Sequence, residues 1–494
     1  MVFSTIDIII VLVYMFASAS IGAWIGGKQK NTTDYFLGGR QIPWVAVTFS
    51  IVATETSVLT FISIPAVAYQ GNMTFLQIAI GYIIGRLLVA VILIPAYYRG
   101  EMSTAYHFLG EQFGQKMRNT ASITFIATRV LADGVRLFAT AIPLALIIKV
   151  SGTFTSLSDS QFYAISIILI GLLTIVYTYI GGIRSVIWMD MIQMIIYLGG
   201  AILAGILILT KLPNGLTDII EWAESNNKFK LIYFGLDLPL SDFLKQPYTI
   251  FTALIAGAIF TLASHGTDQI IVQRLLTCKD MRSGQKAIFW SGIAVFLQFF
   301  LFLLLGVMLY AFYSGSNYQE LGLTRADGIF PKYIVEEMPI GISGLIIAAL
   351  FAAAMSTLSS SLSSLSSSVV LDIYLPLFGR RKTDAQLLKT SRMVTLMWGI
   401  ILICIAISFI GIKGTVVEIA LGIASYTYGG LLGVFLLGLI YKKAAQKDAI
   451  IGFISALLIM IIVIQAVQIA WPLYTVVGSL TTIIIGISSS KMTN

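Results

Sequence analysis

Two stretches of this sequence place oxygen-rich side chains inside otherwise apolar segments. The first covers residues 348–368, where Ser356, Ser359, Ser360 and Ser363 recur at steps of three and four. These serines therefore share one face of a helix. In a bilayer, such hydroxyls commonly let helices pack closely or hydrogen-bond to one another. Hydroxyl and freed carbonyl oxygens are also hard ligands that suit a dehydrated cation, so both interpretations stay open on spacing alone.

The second stretch lies near the middle of an apolar segment over residues 43–70 and contains an acid. Glu55 would lie at membrane depth, where a charge is costly and usually functional. The alternative is an ion pair with an intramembrane arginine that serves only stability. Thr56, Ser57 and Thr60 add polar groups at the same place. A helix that unwinds here would offer carbonyls to a cation and amides to a solute.

The composition is that of a membrane protein with many crossings. The mean hydropathy is +0.91, and 11% of the 494 residues are charged, against about 25% in a soluble domain. We expect about thirteen apolar segments near the length of a spanning helix, which is about 20 residues. They cover residues 3–26, 43–70, 74–98, 118–149, 161–180, 185–210, 248–273, 284–314, 339–372, 389–411, 415–441, 447–467 and 470–489. The first segment has no basic start or small-residue cleavage site, which predicts a retained helix rather than a signal peptide.

Basic residues divide the loops into two alternating sets. One set of loops and the C-terminal tail hold 20 lysines and arginines, whereas the other set holds eight. The positive-inside rule therefore predicts a cytoplasmic C-terminus and an external N-terminus in the cell membrane. The net charge of +8 follows from this topology and does not indicate nucleic-acid binding. Cys278 and Cys404 are too few for a disulfide framework or a metal cluster.

A further charged group falls within the segment over residues 118–149. Arg129, Asp133 and Arg136 are spaced by four and three residues, so they can meet on one helical face. One interpretation is a self-neutralising cluster that fixes helix packing. The other is that one guanidinium stays free to hold a solute carboxylate. His265 could titrate near neutral pH, although a single intramembrane histidine more often serves as a packed hydrogen-bonding group.

Several motifs in order resemble the sodium:solute symporter family over about residues 5–465. This family includes the sodium-coupled sugar, proline, iodide, monocarboxylate, multivitamin and sialic acid transporters. The motifs cover residues 34–40, 53–57, 103–106, 179–193, 266–274, 344–360 and 434–443. Each motif alone is weakly specific, whereas their order and spacing together are strongly specific.

The resemblance implies an all-α polytopic protein of the LeuT type, with two five-helix repeats of inverted topology. The whole chain, 1–494, would then be one transporter domain with a leading helix at 3–26. Repeat one would cover about 43–210 and repeat two about 248–441, followed by trailing helices at about 447–489. The two halves show no sequence self-similarity, so the repeat follows from the resemblance alone.

The family also implies sodium sites between the interrupted helix and the serine-rich helix. By motif position, Ala53, Thr56 and Ala353 would give backbone carbonyls to the first sodium ion. Ser356 and Thr357 would give their hydroxyls. Some members hold a second sodium ion, and the matching residues here are Asp190, Ser356, Ser359 and Ser360. Asp190 also occurs in members thought to use one sodium ion, and its other possible role is an ion pair near the cytoplasmic face.

The resemblance places the solute near the midplane, beside the interrupted helix. The solute-binding residues expected from it are Glu55, Ser57, Thr60, Gln77, Arg129, Arg136, Ser264 and Tyr426. Ser264 and His265 stand where sugar-transporting members carry aromatic gate residues, and Leu421 stands where those members carry a glutamine. These departures disfavour a simple hexose. We expect a small polar solute that bears a carboxylate, such as sialic acid.

The expected function is sodium-coupled import by alternating access, with sodium as the coupling ion and the bilayer as surroundings. The alternatives are proton coupling through Glu55 or Asp190, a sugar or amino-acid symporter, and a transporter-like sensor. The sequence shows no nucleophile–base–acid set and no phosphate-binding Gly-Lys-Ser/Thr loop, so we expect neither an enzyme nor an ATP-driven pump. The oligomeric state is not indicated.

Overall fold

The regular structure of this protein is helical throughout the residues that can be described. The computed structural model describes residues 4–100, 102–150, 157–323, 325–379, 382–410, 416–467 and 469–493, with the side chains at 59, 142–150, 159, 416–426 and 493 left aside. The helices used below are α1 Thr5–Gly26, α2 Trp44–Glu55, α3 Val58–Gln70, α4 Leu76–Leu88, α5 Gln115–Val150, α6 Asp159–Lys211, α7 Gly257–Gly266, α8 Gln269–Leu275, α9 Met281–Phe312, α10 Ile342–Ser367, α11 Asp384–Ser408, α12 Val416–Ile440, α13 Gln446–Ala466 and α14 Trp471–Thr493. Short helices at Leu216–Ser225, Leu240–Phe243 and Ile329–Glu337 lie in the loops that follow α6 and α9.

The longest helical run, α6, consists of two helices that meet at Gly182. Its 53 residues would extend about 80 Å if straight, whereas the hydrocarbon core is about 30 Å thick. Gly182 has φ 57° and ψ −155°, which favours glycine. Tyr177 before this turn and Asp190 after it both hydrogen-bond to neighbouring residues of α10. The chain therefore reverses direction, which agrees with the two segments predicted at 161–180 and 185–210.

Length and hydropathy identify fewer spanning helices than the sequence analysis expected. Within the described residues, eight helices are long and apolar enough to cross a membrane. A ninth is added if Thr32–Arg40 and Trp44–Glu55, which meet at 111°, form one span. The expected count of thirteen is therefore not confirmed. One reason is that the predicted segments 43–70 and 248–273 are interrupted, which leaves pieces shorter than a full crossing.

Contacts near the helix ends define two opposite faces of the helix bundle. The first face holds the contacts Asp7–Gly344, Lys211–Glu337 and Leu244–Ala470, and the second holds Arg40–Met102, Ile42–Thr277 and Gln112–Lys442. We call them the Asp7 face and the Lys442 face. The loops on the Lys442 face are those of the basic-rich set, so the structure groups the loops as the charge count did.

The leading helix α1 fixes the start of the serine-rich helix α10. The Asp7 carboxylate accepts hydrogen bonds from the amides of Gly341 at 2.7 Å and Gly344 at 2.8 Å. It also accepts one from the Ser343 hydroxyl at 2.9 Å. These amides belong to a helix N-terminus, where unpaired donors and the helix dipole favour an anion. Asp7 thereby anchors α10 from a helix that lies outside both proposed repeats.

Candidate functional site

Helices α2 and α3 form one interrupted helix with a two-residue break. Thr56 and Ser57 have extended backbones, with φ −83° and ψ 106° for the first and φ −95° and ψ 171° for the second. The Ser57 hydroxyl caps α3, because it accepts a hydrogen bond from the Thr60 amide at 3.4 Å. The break frees carbonyls at the end of α2, near Ala53, and amides at the start of α3. The unwinding considered for residues 53–57 is therefore present.

A second break separates α7 from α8 at Thr267 and Asp268. The Asp268 carboxylate caps α8 by accepting a hydrogen bond from the Ile270 amide at 2.9 Å. The sequence analysis treated residues 248–273 as one segment and did not predict this interruption. A signal was present, because Gly266 can end a helix and Asp268, two residues later, can cap the start of the next one.

The end of α2 packs directly against the serine-rich face of α10. The hydroxyls of Thr54 and Ser360 lie 3.1 Å apart. Ser57 and Thr357 line one small recess beside the first break. The Thr357 hydroxyl donates to the Ala353 carbonyl at 3.1 Å. The structure thus brings together the two stretches that the sequence analysis singled out.

Asp190 lies fully buried at the centre of a hydrogen-bond network that joins α2, α6, α8 and α10. Its Oδ2 accepts hydrogen bonds from Ser50 at 2.6 Å and from Arg274 at 3.0 Å. Arg274 also donates to Ser50 at 2.8 Å and to Ser360. Among the described residues, Oδ1 accepts one hydrogen bond, from Ser356 at 2.6 Å. The carboxylate is therefore neutralised on one side and has spare lone pairs on the other.

A cavity of about 350 Å³ lies beside the first break. Its polar wall consists of Thr54, Glu55, Ser57, Thr60, Ser63, Arg129, Asp133, Arg136, Ser264, His265, Thr357 and Ser361. Its apolar wall consists of Ile64, Val67, Phe75, Tyr82, Tyr248, Phe260, Ile270, Ile271, Phe299, Tyr428 and Trp471. Phe75, Tyr248 and Trp471 lie near helix ends on the Asp7 face, so the cavity extends from the middle of the bundle toward that face. A hydroxyl-rich wall opposite aromatic rings suits a small polar solute.

The three charged residues of α5 differ in how fully they are paired. Arg129 ion-pairs with Asp268 and donates to the Tyr428 hydroxyl at 2.7 Å. Asp133 accepts a hydrogen bond from Ser361. Arg136 has a side chain that is 28% exposed, and its ion pair with Asp133 is 3.7 Å long. Arg136 is therefore the more available of the two guanidiniums in the cavity wall.

Glu55 belongs to a buried ion-pair cluster that links the first break to α4 and α7. It pairs with Arg86, whose side chain is fully buried, and lies 3.4 Å from the His265 ring. His265 contacts Arg86 at 2.9 Å through Nε2 and the Ser264 hydroxyl at 2.9 Å through Nδ1. This is the stabilising arginine pair that the sequence left open as an alternative. The Glu55 carboxylate still contributes to the cavity wall.

The remaining predicted solute residues have different positions. Gln77 lies outside the cavity lining, where its amide bonds the Tyr248 carbonyl at 2.7 Å and the Tyr233 amide at 3.1 Å. Ser264 lines the cavity, although its hydroxyl is engaged with the neighbouring histidine. The side chain of Tyr426 lies outside the described residues. Gln77 thus holds the rim in place rather than facing the cavity.

Several cavity residues were not predicted from the sequence. Ser63 follows Ser57 and Thr60 at a spacing of three, so extending the helical period by one turn would have found it. Ser361 belongs to the serine-rich helix, and its hydroxyl donates to Asp133 at 2.6 Å. Most of the aromatic wall gave no signal, because aromatic residues are common throughout membrane helices and their spacing does not reveal which ones meet.

Comparison with known proteins gives a consistent family assignment. The sequence model of the sodium:solute symporter family matches residues 35–456. The chain is 30% identical to the sodium/sialic acid symporter SiaT of Proteus mirabilis, over 98% of this chain and 94% of that protein. It is 28% identical to the sodium/sialic acid symporter NanT of Aliivibrio fischeri, over 99% of this chain and 94% of that protein.

Solved structures agree on the fold. The substrate-bound outward-open state of a Na⁺-coupled sialic acid symporter is similar with a TM-score of 0.85 and 29% identity, covering 99% of this chain and 98% of that one. A transporter of the nucleobase-cation-symport-1 family has a TM-score of 0.55 at 12% identity, covering 92% and 93%, which shows the fold alone. The all-helical LeuT-type expectation is confirmed. The family resemblance is confirmed too, and with it a sodium-coupled transporter rather than an enzyme.

Proposed function

The chain belongs to the sodium:solute symporter family, and on that premise we propose that it imports a carboxylate-bearing sugar acid of the sialic acid type. The observation that supports this solute class is the partly exposed Arg136 guanidinium, whose ion pair with Asp133 is 3.7 Å long, in a cavity lined by hydroxyls. A bidentate arginine contact is a strong and specific way to hold a carboxylate. The similar proteins from Proteus mirabilis and Aliivibrio fischeri are sodium/sialic acid symporters, which makes sialic acid the first solute to test.

The solute's hydroxyl groups would bond to the polar wall near the first break. Ser57, Thr60 and Ser63 recur at a spacing of three at the start of α3, and Ser361 of α10 lines the same cavity. The free amides at the start of α3 add donors for an anionic group. The other residues of the predicted solute site would hold this polar wall in place. Glu55 and Arg129 hold the two helix breaks, Ser264 orients His265, and Gln77 fixes the rim of the cavity. Tyr426 stays a prediction by motif position.

The first sodium ion would lie between α2 and α10. Its ligands would be the carbonyls of Ala53, Thr56 and Ala353 and the hydroxyls of Ser356 and Thr357. Five neutral oxygens bind Na⁺ weakly enough for release, which a coupling ion requires. The ion would hold the interrupted helix against the serine-rich helix, so sodium and solute affinities would be coupled reciprocally. A second sodium ion would use Asp190, Ser359 and Ser360.

The topology proposed is that of one transporter domain with thirteen crossings. The leading helix would cover 3–26, the repeats about 43–210 and 248–441, and the trailing helices about 447–489. The Asp7 face, poor in basic residues, would be external, and the Lys442 face cytoplasmic. The cavity would then be open to the outside and closed on the cytoplasmic side by the ion pairs of Asp190 and Asp268.

Transport would follow alternating access in the plasma membrane. Outside, sodium fills its site and stabilises the solute-ready state. Closure followed by inward opening exposes both sites to low internal sodium, which empties the ion site and weakens solute binding. A membrane potential of about −100 mV adds about 2.3 kcal/mol per inward elementary charge.

Uptake into proteoliposomes tests the proposal. We expect N-acetylneuraminic acid to accumulate under an inward Na⁺ gradient and not when choline replaces Na⁺. Proline, lactate and glucose serve as competing solutes, and an imposed proton gradient tests the other coupling ion. Accumulation that ignores the sodium gradient would refute sodium coupling. Preference for glucose would refute the carboxylate clamp.

A further inference from the structure

An unpaired amide is buried one helical turn beyond Asp190. Gln193 of α6 is fully buried, and neither its Nε2 nor its Oε1 has a hydrogen-bond partner among the described residues. The hydroxyl oxygen of Tyr14, on α1, is buried without such a partner as well. Buried polar groups in native proteins are almost always hydrogen-bonded, so an orphaned amide calls for a ligand or an ordered water.

These groups lie together behind the serine-rich helix. The Gln193 amide faces the hydroxyls of Tyr14 and Tyr177. Tyr177 in turn faces the Ser359 hydroxyl and donates to the Met355 carbonyl at 3.0 Å. We call this group of four side chains the α1–α6 chamber. It lies between α1, α6 and α10.

The chamber lies next to Oδ1 of Asp190, the carboxylate oxygen with fewer hydrogen-bond partners among the described residues. Asp190 and Gln193 are three residues apart on α6, so their side chains share a face. Arg274 and Ser50 occupy Oδ2, whereas Ser356 is the described partner of Oδ1. Ser359 follows Ser356 on α10 and donates to its carbonyl at 3.0 Å. The lone pairs of Oδ1 and of the two serine hydroxyls are therefore next to the orphaned amide.

This set of oxygens has the chemistry of a weak monovalent cation site. A carboxylate oxygen, hydroxyls and an amide oxygen are hard ligands. Arg274 already neutralises the carboxylate, so the added charge of a bound sodium ion is only partly compensated and its release stays easy. A water molecule would satisfy the amide as well, so a direct count of bound sodium ions decides between the two.

We propose that Gln193 and Tyr14 complete the second cation site, with Gln193 Oε1 as a direct sodium ligand and Tyr14 holding the amide in place. The proposal rests on the proposed sodium-coupled function and adds two residues to the ligand set. It also gives α1 a part in ion binding, although this helix lies outside both proposed repeats.

Sodium binding measured in the absence of solute tests whether the chamber holds an ion. Equilibrium binding of ²²Na⁺ to the purified full-length chain would be measured for the wild type, Gln193→Leu and Tyr14→Phe. We expect about two ions per wild-type chain and about one for Gln193→Leu, with the Hill coefficient for sodium-dependent uptake falling in parallel. Tyr14→Phe should weaken the second binding step about five- to tenfold. The matched control is Thr174→Val, because Thr174 is buried on α6 and its hydroxyl bonds the Ile170 carbonyl of its own helix.

The outcomes separate this proposal from the proposed function. Wild-type binding of a single ion, or unchanged sodium binding in both variants, would overturn the proposal and leave the chamber as a water site. If Gln193→Leu does not fold, Tyr14→Phe alone decides, since it removes one hydroxyl and little volume. Absence of sodium-driven solute uptake by the wild type would refute the proposed function, and the ²²Na⁺ counts would still decide the chamber.

Discussion

Arg129 of α5, which lines the cavity, forms an ion pair with Asp268 at the start of α8. The Tyr428 hydroxyl donates to the same carboxylate at 3.0 Å, so α5, α8 and α12 meet at one point. Both helix breaks are thus held by an arginine from the first half of the chain, Arg86 at Glu55 and Arg129 at Asp268. Arg86 and Arg129 therefore hold the backbone at the two breaks, and Arg136 is the guanidinium that we propose binds the solute carboxylate.

The first prediction concerns that clamp. Replacing Arg136 by Gln should raise the KM for N-acetylneuraminic acid about 10- to 100-fold, because hydrogen bonds to charged groups contribute about 1.5–3 kcal/mol. Initial uptake rates at saturating Na⁺ measure the effect. Arg136→Lys should recover only part of it, since lysine keeps the charge and loses the bidentate geometry. Arg282→Gln, at an exposed position, is the control. An unchanged KM in Arg136→Gln would exclude the clamp.

The second prediction concerns the first sodium site. Thr357→Val removes one proposed ligand with little change in volume, so the sodium concentration for half-maximal uptake should rise about tenfold or more. Thr390→Val is a matched control, because Thr390 bonds a carbonyl four residues back in its own helix at 3.0 Å, as Thr357 does at 3.1 Å. Wild-type sodium dependence in Thr357→Val would remove this residue from the site.

The third prediction concerns the anchor of α10. Asp7→Asn should lower the free energy of unfolding by about 1–2 kcal/mol, because the carboxylate caps a helix N-terminus. Gly344→Ala should also destabilise, since a Cβ there would lie 2.7 Å from the Asp7 Cα. Thermal unfolding in detergent, followed by intrinsic fluorescence, measures both. Gly199→Ala is the control, because a Cβ there meets nothing within 4 Å. Equal melting temperatures for all three variants would contradict the anchoring role.

The fourth prediction is a pH dependence of stability on the Asp7 face. Lys228 donates to the carbonyls of Tyr69 at 2.6 Å and Gly71 at 3.0 Å at the end of α3. Burial lowers the pKa of this lysine to about 8, against about 10.4 in an unfolded chain. Between these values the unfolded chain binds more protons than the folded one, so this residue's contribution to stability rises with pH.

A comparison with Lys228→Met isolates that contribution. The difference in unfolding free energy between wild type and variant should shift in favour of the wild type as the pH rises from about 8 to about 10. Melting curves of both proteins across this window measure the difference. Parallel pH profiles would show that Lys228 keeps its ordinary pKa in the folded protein.

The amino-acid sequence alone was enough to predict the membrane class, the polar stretch around Glu55, the serine-rich face and the family, whereas the break at Thr56 and Ser57 is seen only in the structure. Hydropathy and helical period can be read within one segment, and burial of a charge is costly wherever that segment packs. The order of the motifs can be read along the chain without knowing how its helices pack. For the same reason, spacing alone predicts that Ser57, Thr60 and the charged residues of α5 are part of a polar site, without knowledge of what they contact.

Which charged groups are paired and which remain available is seen only once the helices are packed together. Arg129 finds Asp268 across 139 residues of sequence, and Arg274 finds Asp190 across 84. Such pairing depends on how helices cross, and no period within a single helix records it. The same holds for the aromatic wall, for the second break and for Tyr14 and Gln193, which come together because α1 packs against α6.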